Sequence, residues 1–195
     1  MKKSTSPKAK RKSKEKGGDY LRELTFGVED GLVSTLGFVV GMTTAAVSGR
    51  IIIIGGIAEA VAAGISMAAG TYLSVKSQAE FFSYLENKIK RSGNREAEKK
   101  VIHSNIENPG KASLIMFLSF MIMAAIPLLP YFFFEAGKAL KISILATMLA
   151  LFIFGAEKTR ITKRSWFKSG VEMTAIGAIA ALAGYLVGVI ANIYF

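Results

Sequence analysis

Residues 51–75 read IIIIGGIAEAVAAGISMAAGTYLSV, a run with no Lys, Arg or Asp and a single carboxylate, Glu59. As a helix rising about 1.5 Å per residue, this run reaches roughly 37 Å and so exceeds the ~30 Å apolar thickness of a bilayer. An ionisable group inside such a run costs about 3 kcal/mol on insertion scales. It must therefore face a partner, a cavity or a cargo rather than lipid. At about 100° per residue, Glu59, Ala63, Ser66 and Gly70 fall on one narrow stripe, with Met67 on its flank. The stripe is small and polar, with one charge and one thioether beside it, which suits the wall of a path.

The rest of the composition agrees with a membrane setting. The chain is 51% hydrophobic yet carries a formal net charge of +11, and its mean hydropathy is +0.39. The charges come in blocks and the apolar residues in long runs, the pattern of a helical membrane protein. Cysteine is absent, which removes disulfides, thiolate metal sites and cysteine nucleophiles. The single His, His103, lies in a polar segment, so a Ser-His-Asp triad or a His-rich metal centre is not expected.

Four regions follow in order. Residues 1–19 form a basic tail, and MKKSTSPKAKRKSKEKGG holds eight Lys or Arg against one Glu. It reads as a disordered cytoplasmic extension that touches anionic lipid. It has no aromatic interleaving, so nucleic acid is not an expected partner. Residues 20–75 hold two spans joined by the short Ser48-Gly49-Arg50 connection, an antiparallel hairpin. In the first span, Asp30, Ser34, Gly37 and Gly41 share a face. Gly27/Gly31 and Gly37/Gly41 are spaced for close helix approach. Asp30 has two readings at this point: a helix-start carboxylate favoured by the dipole at about 0.3–1 kcal/mol, or a buried functional group.

Residues 76–111 are a mixed-charge cytoplasmic segment. Lys76 to Lys90 continue the second span past the membrane, with Phe81, Phe82, Tyr84, Leu85 and Ile89 as an apolar side. Ser92-Gly93-Asn94 breaks the pattern, and Asn108-Pro109-Gly110 ends it. Residues 112–195 hold three further spans, about Ala112–Phe134, Leu140–Ala156 and Gly170–Ile193. Pro127 and Pro130 bend or end the third span, and Met116, Met121 and Met123 read as packing residues. Trp166 is placed like an interface anchor in the preceding basic loop. Glu172, taken as first-turn, is expected to pair with a basic residue of that loop.

Orientation follows from counting. The tail with the start of the first span, the 76–111 segment and the 158–168 loop carry 22 Lys or Arg, against three on the other side. The excess places the N-terminus in the cytoplasm and, with five spans, the C-terminus outside. The expected fold is an all-α membrane protein of five transmembrane helices.

No nucleotide loop, hydrolase elbow or zinc pattern is present, so no enzyme activity is expected. What remains is a pair of carboxylates in apolar helices, a thioether and small residues. Oxygen ligands alone suit Mg²⁺ or Ca²⁺, and an added soft sulfur tilts selection toward later metals such as Fe²⁺, Mn²⁺ or Co²⁺. A carboxylate that can exchange metal for a proton also offers coupling to a proton gradient. The residues alone thus point to a cation transporter. They leave open a non-transporting assembly or metal-sensing protein whose buried acids are structural.

Four stretches carry a resemblance: DGLVSTLGFVVG at 30–41, EAVAAGISMAAGTYLSVKSQ at 59–78, SFMIMAAIPLLPY at 119–131 and SWFKSGVEM at 165–173. In this order they resemble the vacuolar iron transporter family. The resemblance implies a five-helix homodimer that moves Fe²⁺, and often Mn²⁺, out of the cytosol in exchange for protons. The metal is then cargo and no resident cofactor is implied. It also implies a metal path lined by Asp30 in the first span and by Glu59 and Met67 in the second. Plant-type members carry a longer, glutamate-dense domain between spans two and three. Here that segment is short, net basic and free of Met, so no ligand is carried onto it. The membrane would be the cell membrane in a prokaryote and the vacuolar membrane in a eukaryote.

Overall fold

The computed structural model describes residues 20–92, 107–162 and 165–194. Among these the chain forms helices only: α1 Leu21–Thr44, α2 Gly49–Ser92, α3 Pro109–Leu128, α4 Pro130–Phe133, α5 Ala136–Glu157, α6 Thr159–Thr162 and α7 Trp166–Tyr194. Five of them (α1, α2, α3, α5 and α7) are long and apolar enough to cross a membrane. The basic tail, the Gly93-Asn94 break, His103 and the middle of the 158–168 loop lie outside the described residues.

The second helix is one uninterrupted rod of 44 residues, roughly 66 Å at about 1.5 Å per residue. It carries the expected extension through Lys76 to Lys90. On that extension Phe81 and Tyr84 are exposed, and Phe81 packs against Phe82 with ring centroids 6.1 Å apart.

Helix α1 is the hub. It packs most extensively on α3 and α7, and less on α2 and α5. Glycine makes the close contacts possible. A Cβ on Gly31 would sit 2.5 Å from the Phe120 carbonyl oxygen of α3, and one on Gly41 would sit 3.1 Å from that of Gly184 in α7. The two GxxxG pairs of α1 thus serve two different neighbours: Gly27/Gly31 faces α3 and Gly37/Gly41 faces α7.

Helix ends follow local chemistry. At the end of α1, Ala46 adopts a left-handed φ of 57°, and the Val47 N–H donates back to the Met42 carbonyl at 3.1 Å. Ser48 then starts α2, its carbonyl accepting from the Ile51 and Ile52 N–H groups at 3.0 and 3.1 Å. Asn108 caps α3, its side chain accepting from the Lys111 N–H at 3.1 Å, with Pro109 at the first helical position. The Asn108 N–H also donates to the Tyr20 hydroxyl at 3.3 Å, which sets the starts of α1 and α3 side by side.

Pro127 lies inside α3, which ends one residue later. Ser143 of α5 donates to the Pro127 carbonyl at 2.8 Å. Helix α7 starts at Trp166, earlier than the predicted Gly170, and the Ser169 N–H closes its first turn on the Ser165 carbonyl at 3.1 Å. Trp166 is exposed and stands edge-on to Phe152, with ring centroids 6.2 Å apart.

Three apolar clusters fill the interior. Leu36, Val39, Val40, Ile52, Leu128, Tyr131 and Ala139 pack at the end where α1 and α2 meet, here termed the hairpin end. Val28, Leu32, Leu151 and Met173 pack toward the other end. Arg22, Lys111, Lys158 and Lys168 flank the helix termini there, so it is termed the basic end. Ala60, Phe120 and Ala124 join α2 to α3. Outward positions such as Ile54, Ile65, Leu145, Ile179 and Val187 are exposed and apolar. A shell of this kind is solvated by lipid tails rather than water.

Candidate functional site

Asp30 lies in the third turn of α1 and Glu59 in the third turn of α2. The hairpin runs the two helices past each other, and its register sets Gly55 against the Phe38 ring. One turn along each helix, the same register brings Glu59 beside Thr35. Asp30 is close enough that its charge acts directly on Glu59. Both carboxylates are partly buried. Glu59 Oε2 is buried without a hydrogen-bond partner, and the buried Thr35 hydroxyl lies toward the Glu59 carboxylate.

Two carboxylates in an apolar bundle repel when both are ionised, and a cation or a proton placed between them relieves the repulsion. Of Asp30's two sequence readings, the dipole-held helix-start residue does not fit. Helix α1 begins at Leu21, so Asp30 is well beyond its first turn.

Thr35 was not visible as a site residue. Hydroxyls in membrane helices ordinarily donate to the carbonyl four residues back. Thr43 does so to Val39 at 2.7 Å, Ser34 to Asp30 at 2.6 Å and Thr174 to Gly170 at 2.8 Å. Thr35 forgoes that bond, which only the three-dimensional structure reveals.

Met67 is two turns along α2 from Glu59, about 12 Å of helical rise. It packs on the Ala60/Phe120/Ala124 cluster. It also borders a cavity of about 1000 Å³ at the basic end. Asp30 and Glu59 are neighbours, and Met67 stands between that pair and the cavity.

Of the stripe on α2, Ser66 and Gly70 line the cavity with Met67, while Ala63 is turned onto the apolar cluster. The cavity wall also contains Glu29 from α1, Met116 from α3 and Glu172 from α7. Met121 and Met123 are packing residues as expected: Met121 packs on the Phe120 cluster and Met123 on the Val28 cluster. Met116 is buried but borders the cavity as well.

Glu172 sits in the second turn of α7, not the first, and lines the cavity with Lys158 of the preceding loop, while Lys163 and Arg164 of that loop lie outside the described residues. Among the described residues no three His, Asp or Glu side chains come together as a ready-made metal cage.

The sequence matches the profile of the VIT family over residues 21–106 and 93–189. The chain is 28% identical to vacuolar iron transporter 1 of Eucalyptus grandis, over 86% of this chain and 85% of that protein. It is 30% identical to vacuolar iron transporter homolog 2.1 of Arabidopsis thaliana, over 92% of this chain and 85% of that protein. Vacuolar iron transporter 1 of rice is 28% identical over 86% of this chain and 84% of its own length. With five apolar helices and a family profile covering nearly all of them, this multi-pass integral membrane protein belongs to the VIT family.

Proposed function

We propose that the chain exports Fe²⁺, and Mn²⁺, from the cytosol in exchange for protons. The observation that carries this reading is the Asp30–Glu59 pair. Two carboxylates lie within reach of each other's charge across an apolar hairpin, with an unpartnered Glu59 oxygen and the buried Thr35 hydroxyl beside them. Such a group gives up a proton to take a divalent cation and takes the proton back on release, which couples the two fluxes. The cargo follows from the relatives' names and from the thioether of Met67, whose softness favours Fe²⁺ and Mn²⁺ over Mg²⁺.

In this reading the basic end is cytoplasmic, as the Lys and Arg excess directs. The cavity is then the entry from the cytosol, and the protein works as a homodimer. The exposed flank of α2, with Ala58, Ala62 and Ala69, offers a face on which a second copy can approach closely.

The test is flux into liposomes that hold a metal-quenched dye and a pH dye, with Fe²⁺ or Mn²⁺ added outside. Wild type should admit metal with opposing proton movement, and Glu59→Ala should not. If Glu59→Gln kept full function and Glu59→Ala lost only thermal stability, the acids would be structural and the transport reading would be wrong.

A further inference from the structure

We infer that Phe38, with Leu128 beside it, is the gate that closes the ion path on the hairpin side of Glu59. The inference rests on the transport reading for what passes and on packing for the barrier itself. The stripe of α2 that borders the cavity runs from Gly70 through Ser66 to Glu59. The next position outward on that face, four residues away, is Gly55. There the stripe is covered. A Cβ on Gly55 would meet the tip of the Phe38 ring at 3.0 Å, and one on the adjacent Gly56 would press on the Leu128 side chain. The two glycines form a socket, filled by one side chain from α1 and one from α3. Thr35, which lies toward the Glu59 carboxylate, is three residues from Phe38. The plug is thus one turn outward of the acid on both helices.

Beyond the plug the packing is continuous. Phe38 and Leu128 join Leu36, Val39, Ile52 and Tyr131 in the apolar cluster of the hairpin end. On the other side of Glu59, Ser66, Met67 and Gly70 border the cavity. A constriction of apolar side chains stays dry and stops a hydrated cation. Burial alone would describe an ordinary core, but Leu128 is mounted differently. It stands between Pro127 and Pro130, and each proline lacks the N–H that would bond four residues back. The rungs to the Met123 and Ile126 carbonyls are therefore missing, and α3 gives way to the four-residue α4. Side-chain bonds hold the break in place: the Ser143 hydroxyl donates to the Pro127 carbonyl at 2.8 Å, and the Tyr131 hydroxyl meets that of Thr43 at 2.7 Å. These bonds part without unwinding a helix. Leu128 then leaves Gly56 by movement at the break alone, and a rotamer change of Phe38 uncovers the stripe.

The chain has no cysteine, so introduced thiols report on the barrier without any assumption about transport. Thr35→Cys places a thiol beside Glu59. Gly49→Cys places one at the start of α2, where a Cβ meets nothing within 4 Å, and counts the molecules whose hairpin end faces outward. In sealed proteoliposomes with a membrane-impermeant thiol reagent outside, those molecules should leave the Thr35→Cys thiol unmodified. With Phe38→Ala/Leu128→Ala added, the modified share should rise by the share that Gly49→Cys counts. Phe38→Leu alone, a milder change should the double variant not fold, should speed modification about tenfold over the unsubstituted background. In liposomes holding a metal-quenched dye and a pH dye, the double variant should pass Mn²⁺ without the opposing proton movement, because its path is open at both ends.

No gain in modification in the folded variants, with only Tm lowered, would overturn the gate and leave the transport reading standing. A gain in modification with no flux even from wild type would sink the transport reading and keep Phe38 and Leu128 as the barrier.

Discussion

Over its first three turns α1 borders a cavity edged by its own Arg22 and Glu29 and by Glu172 of α7. Over its last three turns the same helix is locked into its surroundings. There Leu36, Val39 and Val40 are buried in an apolar cluster. Gly37 and Gly41 lie against the backbone of α7. The Thr43 hydroxyl is 2.7 Å from that of Tyr131, which is itself buried. The Asp30–Glu59 pair lies between the open half and the packed half. In the transport reading proposed above, the open half would admit an ion, the packed half would exclude it, and the contacts at the hairpin end would be those that part for release.

The largest expected effect is on the pair that divides the halves. Asp30→Ala and Glu59→Ala should each reduce metal flux to that of protein-free liposomes while folded protein is recovered. Next comes the glycine lock. A Cβ on Gly184 would press directly on the Gly37 carbonyl oxygen. Gly184→Ala should therefore lower stability by about 1–3 kcal/mol, seen as a lower Tm in detergent.

Tyr131→Phe should cost less, about 1 kcal/mol, by removing the hydroxyl contact with Thr43. If the hairpin end is the barrier, this variant should also speed metal release. An unchanged release rate would place the barrier elsewhere. The smallest effect is the control from the open half. A Cβ on Gly70 meets nothing within 4 Å. Gly70→Ala should therefore leave Tm unchanged or raise stability by up to about 1 kcal/mol through helix propensity. Equal losses for Gly70→Ala and Gly184→Ala would erase the contrast between the halves.

The sequence carried the five helices and the two central acids for one reason: a charge inside a long apolar run stands out against a uniform background. Glu59 was visible in this way, and so was the extension of α2. Other parts depend on geometry that no local pattern encodes. The neighbourhood of Asp30, Thr35 and Glu59 is set by the register of the hairpin, which Ala46 and Ser48 fix through backbone turns. Glu172 on the cavity wall was not legible, because its place there depends on how α7 packs beside α1 and α3. The helix also begins four residues earlier than its apolar run suggests. Glu29 was overshadowed by Asp30, yet adjacent helical residues are about 100° apart and face different neighbours.

The length of α2 has a mechanical consequence. It is one continuous helix with no proline to interrupt it, bearing Glu59 within the bundle and a charged, aromatic-studded end well outside it. Its main support is α3, which acts as a fulcrum. A tilt too small to break any contact near Ala60 is magnified at Phe81 and Tyr84. A push on that distant end arrives reduced, but with mechanical advantage, at the wall holding Glu59.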